Sequence, residues 1–232
     1  MSLLVRRTAA ELVGTAFLVA AVVGSGVMAS RLSPSDTGLA LLENSIATGA
    51  ALIALIVALQ PVSASFNPVV TLVEKALGVI GWRTAGFLIA AQFIGGLVGA
   101  VLANLMFGLA PVAFSTHVRT GPGLWLGEVV ATVGLLLVVF GAVRSGRADR
   151  VAFAVGGYIA AAYWFTSSTS FANPAVTVAR IITDTFAGIA PASAPGFIVA
   201  QLVGGALGLL LIRVLYPSVI TAVPTAEKEV IS

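Results

Sequence analysis

The chain has 232 residues, 59% of them apolar and only 9% charged, with a mean hydropathy of +1.08. Soluble domains carry about 25% charged residues, so a water-facing surface of ordinary composition is excluded, and a scattered net charge of +3 gives no basis for binding nucleic acid. Cysteine is absent, which removes thiolate metal sites and leaves the redox compartment unread.

Met1 to Arg7 is a short basic lead with no small-residue cleavage site behind the apolar run that follows. The first apolar segment, roughly 8–29, is therefore expected to be a retained span. A second covers roughly 39–59, and a polar link from Gln60 to Ser65 leads to a shorter stretch near 67–78 that opens on Asn67-Pro68. Long segments follow at roughly 84–107, 124–143 and 151–165. The link Thr166 to Ser170 then leads to a second short stretch near 173–185, opening on Asn173-Pro174. The last long segment is roughly 195–216, with a polar tail behind it. Crossing a hydrocarbon core of roughly 30 Å takes about 20 apolar residues. The six long segments are read as spans, and the two short ones do not suffice. Trp82, Trp125 and Trp164 fall near span ends, where interfacial anchors belong.

The sequence repeats. Glu11-Leu-Val-Gly-Thr15 matches Glu128-Val-Val-Ala-Thr132, and Asn67-Pro68-Val69-Val70-Thr71 matches Asn173-Pro174-Ala175-Val176-Thr177. Ala91-Gln92 followed by Gly95, Gly96 and Gly99 matches Ala200-Gln201 followed by Gly204, Gly205 and Gly208. One transmembrane domain, 1–232, is expected, with repeat one at about 5–107, repeat two at about 124–216 and a tail at 217–232. Each repeat holds an odd number of spans, so the copies must be inverted relative to each other. With a cytoplasmic N-terminus, the inside holds Arg6, Arg7, Lys75, Arg83, Arg144, Arg147, Arg150, Arg213 and Lys228, and the outside only Arg31, Arg119 and Arg180. That bias follows the positive-inside rule and puts both termini in the cytoplasm.

Asn is a preferred N-cap and Pro is tolerated in a first helical turn, so each Asn-Pro marks a helix start. Non-helical backbone at mid-membrane survives only when it lines a cavity or is buried in protein. In an inverted repeat the two starts meet near the bilayer centre. Their positive ends and the two Asn amides then face one lumen, an arrangement that orients hydroxyls and disfavours cations.

These residues resemble the aquaporin, or major intrinsic protein, family: Ser65-Phe66-Asn67-Pro68, Phe171-Ala172-Asn173-Pro174-Ala175, Glu11, Glu128 and the paired Gln-Gly-Gly runs, from Glu11 to about Tyr216. The resemblance implies an all-α membrane protein with six transmembrane helices and two re-entrant half-helices in inverted three-helix repeats. It further implies an hourglass pore in each subunit of a homotetramer in the cell (inner) membrane, passive conduction, no cofactor and no enzymatic activity. Asn67, Pro68, Val69, Asn173, Pro174 and Ala175 take the pore-motif positions, Val69 standing where the family has Ala. Glu11 and Glu128 read either as a proton relay or, as in the family, as braces for the re-entrant loops. His117, the only histidine, lies in a loop, where a pH gate is weighed against a solvated bystander.

The family lines its narrowest point with four residues, one an Arg directly after the second Asn-Pro-Ala. Here that position is Val176, and the nearest arginine is Arg180. Aligning the first loop gives Thr48 on the second span (ungapped counting gives Ala47). The remaining positions fall on Ala161 and Ser170. A filter of Thr48, Ala161, Ser170 and Val176 has no aromatic and no charge, and predicts a broad pore for glycerol, urea, water and arsenous acid or related metalloids. The pattern resembles aquaporin relatives associated with bacterial arsenic resistance, which also replace the filter Arg with a small apolar residue. A water-selective pore is one alternative. An ion-coupled secondary transporter, with Glu11 and Glu128 as its candidate ion site, is another, and saturable flux would mark it. A closed junctional protein would need bulk at the filter.

Overall fold

The computed structural model describes residues 1–217, so Lys228 and the rest of the polar tail beyond Pro217 lie outside the described residues. Helices account for most of them. In chain order they are α1 (Leu3–Leu32), α2 (Thr37–Leu59), α3 (Pro68–Ala76), α4 (Trp82–Met106), α5 (Pro122–Arg144), α6 (Val151–Phe165), α7 (Pro174–Ala179) and α8 (Ala194–Leu215). Single 3-10 turns precede α6 at Ala148–Arg150 and follow α7 at Arg180–Ile182. Five helices, α1, α2, α4, α5 and α8, are long and apolar enough to cross a membrane. The fifteen residues of α6 rise about 22 Å, and the 3-10 turn before it extends that reach. No strand occurs among the described residues.

Local chemistry sets the boundaries. Ser2 and Asp36 cap α1 and α2 by accepting from the amides of Val5 (3.4 Å) and Leu39 (2.9 Å). The half-helices α3 and α7 have Asn N-caps and Pro in the first turn. Gly78, at φ 81°, ends the α3 turn in the left-handed region that glycine tolerates.

Packing follows the duplication. The most extensive contact is α1 on α4, and its counterpart is α5 on α8; α1 on α2 is likewise mirrored by α5 on α6. Across the repeats α2 meets α6, α4 meets α7, α3 meets α8, and the half-helices meet each other. Small residues make these approaches possible, as in membrane helix pairs generally. A methyl on Gly95 or Gly99 would collide with the carbonyl oxygens of Leu12 and Ala16. Gly96 faces Ala175 of α7, and Gly205 faces Val69 of α3. Gly49 and Gly156 oppose one another where α2 crosses α6. Large apolar side chains such as Phe17, Ile46, Phe153 and Leu210 point outward. Trp82, Trp125 and Trp164 are also exposed, as an interfacial position requires.

Candidate functional site: a cavity between two half-helices

The two half-helices start head to head, and hydrogen bonds cross between them. The Asn67 side-chain nitrogen donates to the Ala172 carbonyl at 2.7 Å, and the Asn173 nitrogen donates to the Phe66 carbonyl, also at 2.7 Å. Each Asn oxygen accepts from its own helix: Asn67 from the Val69 amide at 2.9 Å, and Asn173 from the amides of Ala175 (3.0 Å) and Val176 (3.2 Å). An Asn amide nitrogen carries two donors, so each pore Asn keeps one for the lumen. The residues just before them, Phe66 (φ 47°) and Ala172 (φ 48°), sit in the left-handed region, where a side chain is strained. That turn aims each carbonyl at the opposite Asn.

A buried carboxylate holds each strained loop. Glu11 accepts from the amides of Ser65 (2.8 Å) and Phe66 (2.7 Å), from the Ser63 hydroxyl (2.6 Å) and from the Gln92 side chain (2.7 Å). Glu128 accepts from the amides of Phe171 (2.9 Å) and Ala172 (2.8 Å) and from the Gln201 side chain (2.6 Å). The two glutamines complete the pattern by donating to Thr71 and Thr177 on the half-helices.

A single cavity of about 280 Å³ holds both asparagines. It extends from Arg7, Gln60 and Glu74 on the face carrying the N-terminus to Tyr163, Val176 and Arg180 on the opposite face. Of the sequence-predicted residues, Asn67, Asn173, Thr48, Ser170 and Val176 line it, whereas Pro68, Val69, Pro174 and Ala175 are buried in the first turns of α3 and α7. Ala161 does not line it: it is exposed on the outer surface of α6. Tyr163 lines the cavity from that helix instead, its hydroxyl 3.3 Å from that of Thr48. Two residues along an α-helix is about 200° of rotation, so the register expected from alignment puts the wrong face toward the lumen. His117 is exposed and outside the cavity.

The wall that holds Thr48, Ser170 and Val176 also holds Tyr163, Phe171 and Arg180. The expected filter without aromatics or charge is corrected accordingly. Arg180 stands over the face of Phe171, its guanidinium carbon 3.4 Å from the ring centroid, and Phe171 meets Phe197 edge-on at 5.0 Å. One sequence signal points to Arg180. It follows Asn173 by seven residues, the same offset that separates Glu74 from Asn67, and Glu74 also lines the cavity.

Residues 1–152 match the model of the major intrinsic protein family. The chain is 50% identical over 211 residues to the aquaglyceroporin AqpS of Rhizobium meliloti (strain 1021), covering 90% of each chain. It is 32% identical to aquaporin A of Dictyostelium discoideum over 71% of this chain and 63% of that one. Among solved structures, the X-ray structure of the aquaglyceroporin from Plasmodium falciparum superimposes with a TM-score of 0.72 at 17% identity, covering 92% of this chain and 98% of the other.

Proposed function

The chain belongs to the major intrinsic protein family, and from that premise we propose how it works and what it carries. It is a membrane channel for small neutral solutes such as glycerol, and not an enzyme. Conduction is passive, with the whole of 1–232 acting as one channel domain. Beyond glycerol, the solutes are water, urea and undissociated hydroxylated acids such as arsenous acid, as in the arsenic-resistance-associated subgroup. Asn67 and Asn173 orient a passing hydroxyl. Thr48, Ser170 and Val176 set the width of the far end, and Glu11 and Glu128 brace the loops. The functional unit is a homotetramer in the cell membrane, with the termini cytoplasmic.

One observation supports this most: two head-to-head helix starts share a single cavity with one asparagine each. Positive helix ends facing each other across a lumen favour a hydroxyl oxygen and oppose a cation. Both carboxylates have their oxygens taken up by loop donors, which favours bracing over a proton relay.

Stopped-flow light scattering on proteoliposomes, comparing water, glycerol and arsenous acid, tests the reading. The parent is expected to pass all three with a low activation energy. Val176→Arg is expected to lose the larger solutes first. A parent that passes water alone defeats the wide-pore reading, and saturable flux that follows a proton gradient defeats the channel.

A further inference from the structure

Arg180 closes the last turn of α7, and its side chain is only 3% exposed. Among the described residues no carboxylate forms an ion pair with it. Its Nε donates to the Ala187 carbonyl, and the Phe171 ring fixes one face of the guanidinium. A guanidinium offers five N–H donors, and among the described residues one of them is taken up by protein. The remaining four are left for whatever occupies the cavity that Arg180 lines. A second cation touches the same ring: the Arg119 guanidinium lies 5.3 Å from its centroid, held by the carbonyls of Gly188 (2.9 Å) and Phe186 (3.3 Å). Glu128, which holds the Phe171 loop, directs its oxygens to backbone amides and Gln201. Positive charge is therefore left in excess at this end of the cavity.

Val176 and Arg180 are four residues apart and share a helix face. The small valine keeps the lumen open beneath the guanidinium. We propose that Arg180 is a specificity-determining residue of this pore. From one turn beyond Val176 it supplies the fixed positive charge that excludes cations, and its open donors take the acceptor oxygens of neutral polyols. The assignment rests on the channel reading above. A cation entering from this side must approach a charge whose field is little screened by its buried surroundings. A polyol loses hydration there and regains hydrogen bonds from a donor that needs an acceptor.

The test uses the full chain in proteoliposomes, reading sodium leak and glycerol flux side by side. Arg180→Gln is expected to raise sodium leak about tenfold or more and to lower glycerol-over-water selectivity at least about threefold. The double variant Val176→Arg with Arg180→Gln, which returns a guanidinium one turn away, is expected to bring the leak back to the parent level. An Arg180→Gln leak no greater than the parent's, with glycerol flux intact, overturns the assignment. Should Arg180→Gln fail to insert, Arg180→Lys keeps the charge without the planar fork. Its leak must then match the parent while glycerol-over-water selectivity falls, and unchanged selectivity overturns the assignment. A parent that passes no glycerol fails earlier, at the channel reading, and the assignment falls with it.

Discussion

Glu11 accepts four hydrogen bonds inside the protein, two of them from backbone amides of the strained loop before Asn67. A glutamine of the same shape has one acceptor oxygen and turns an NH₂ group toward donors. Glu11→Gln and Glu128→Gln should therefore each lower stability by about 2–4 kcal/mol and reduce flux. Thermal unfolding in detergent checks the first effect and proteoliposome flux the second. The two variants should behave alike because the two loops are built alike. At this scale the sequence was most legible where chemistry is local and repeated. Asn67, Asn173, Glu11 and Glu128 stood out because each occurs twice in matching surroundings. Tyr163 did not, because nothing in Tyr163-Trp164-Phe165 says which aromatic turns inward, and counting to Ala161 put the register two residues off. Arg180 was visible as a charge at the same offset from Asn173 as Glu74 from Asn67. Its burial depends on Phe171 and Ala187, contacts that no spacing rule supplies.

Among the elements, the half-helix starts fell within a residue of the Asn-Pro dipeptides, since capping is decided by neighbours in the chain. The end of the first, read near 78, fell within two residues of Ala76, but the end of the second did not follow from the sequence. The second stretch looked apolar to about 185, yet α7 stops at Ala179. The carbonyls of Arg180, Ile181 and Ile182 accept instead from the amides of Ile189, Ser115 and Ala113. Segments distant in sequence thus take the hydrogen bonds a longer helix would need. Asp184 strengthens the same meeting of loops by accepting from the Thr116 amide (2.9 Å) and hydroxyl (3.0 Å). These donors hold its carboxyl below the ordinary Asp value. Because the folded pKa is depressed, the contact is complete above the ordinary Asp value and is lost as pH falls through the lower folded one. The protection factor of the Thr116 amide should therefore hold at neutral pH and fall only in strong acid, whereas Asp184→Asn should lower it already at neutral pH. The glycine contacts give a sharper contrast. Gly99→Ala drives a methyl into the Ala16 carbonyl and should separate α1 from α4, with loss of folded protein on gel filtration. Gly157→Ala, in a helix with nothing near the added methyl, should be neutral or raise stability by up to about 1 kcal/mol.

For the molecule as a whole, duplication and hydropathy announced the architecture, because burial in lipid constrains composition more tightly than burial in a soluble core. The bounds of α6 were legible too, since the segment read as 151–165 is Val151–Phe165. Orientation can be tested directly, since the chain has no cysteine. Ser145 and Thr120 are both exposed and lie at opposite ends of α5. In right-side-out vesicles a membrane-impermeant maleimide should label Thr120→Cys readily and Ser145→Cys only after permeabilisation. The reverse pattern would invert the proposed topology.

The crossed bonds at the centre join residues 105 and 107 positions apart in sequence. Contacts so distant form late, after the loop-closure entropy has been met. A chain that has emerged only as far as α4 holds Asn67 with no partner carbonyl, and the Phe66 carbonyl with no amide to receive. The crossed bonds at the lumen thus cannot form before Ala172 and Asn173 have been made. Biosynthesis passes through a stage in which one half of the protein waits, with its central polar groups incomplete, for the other half to be made.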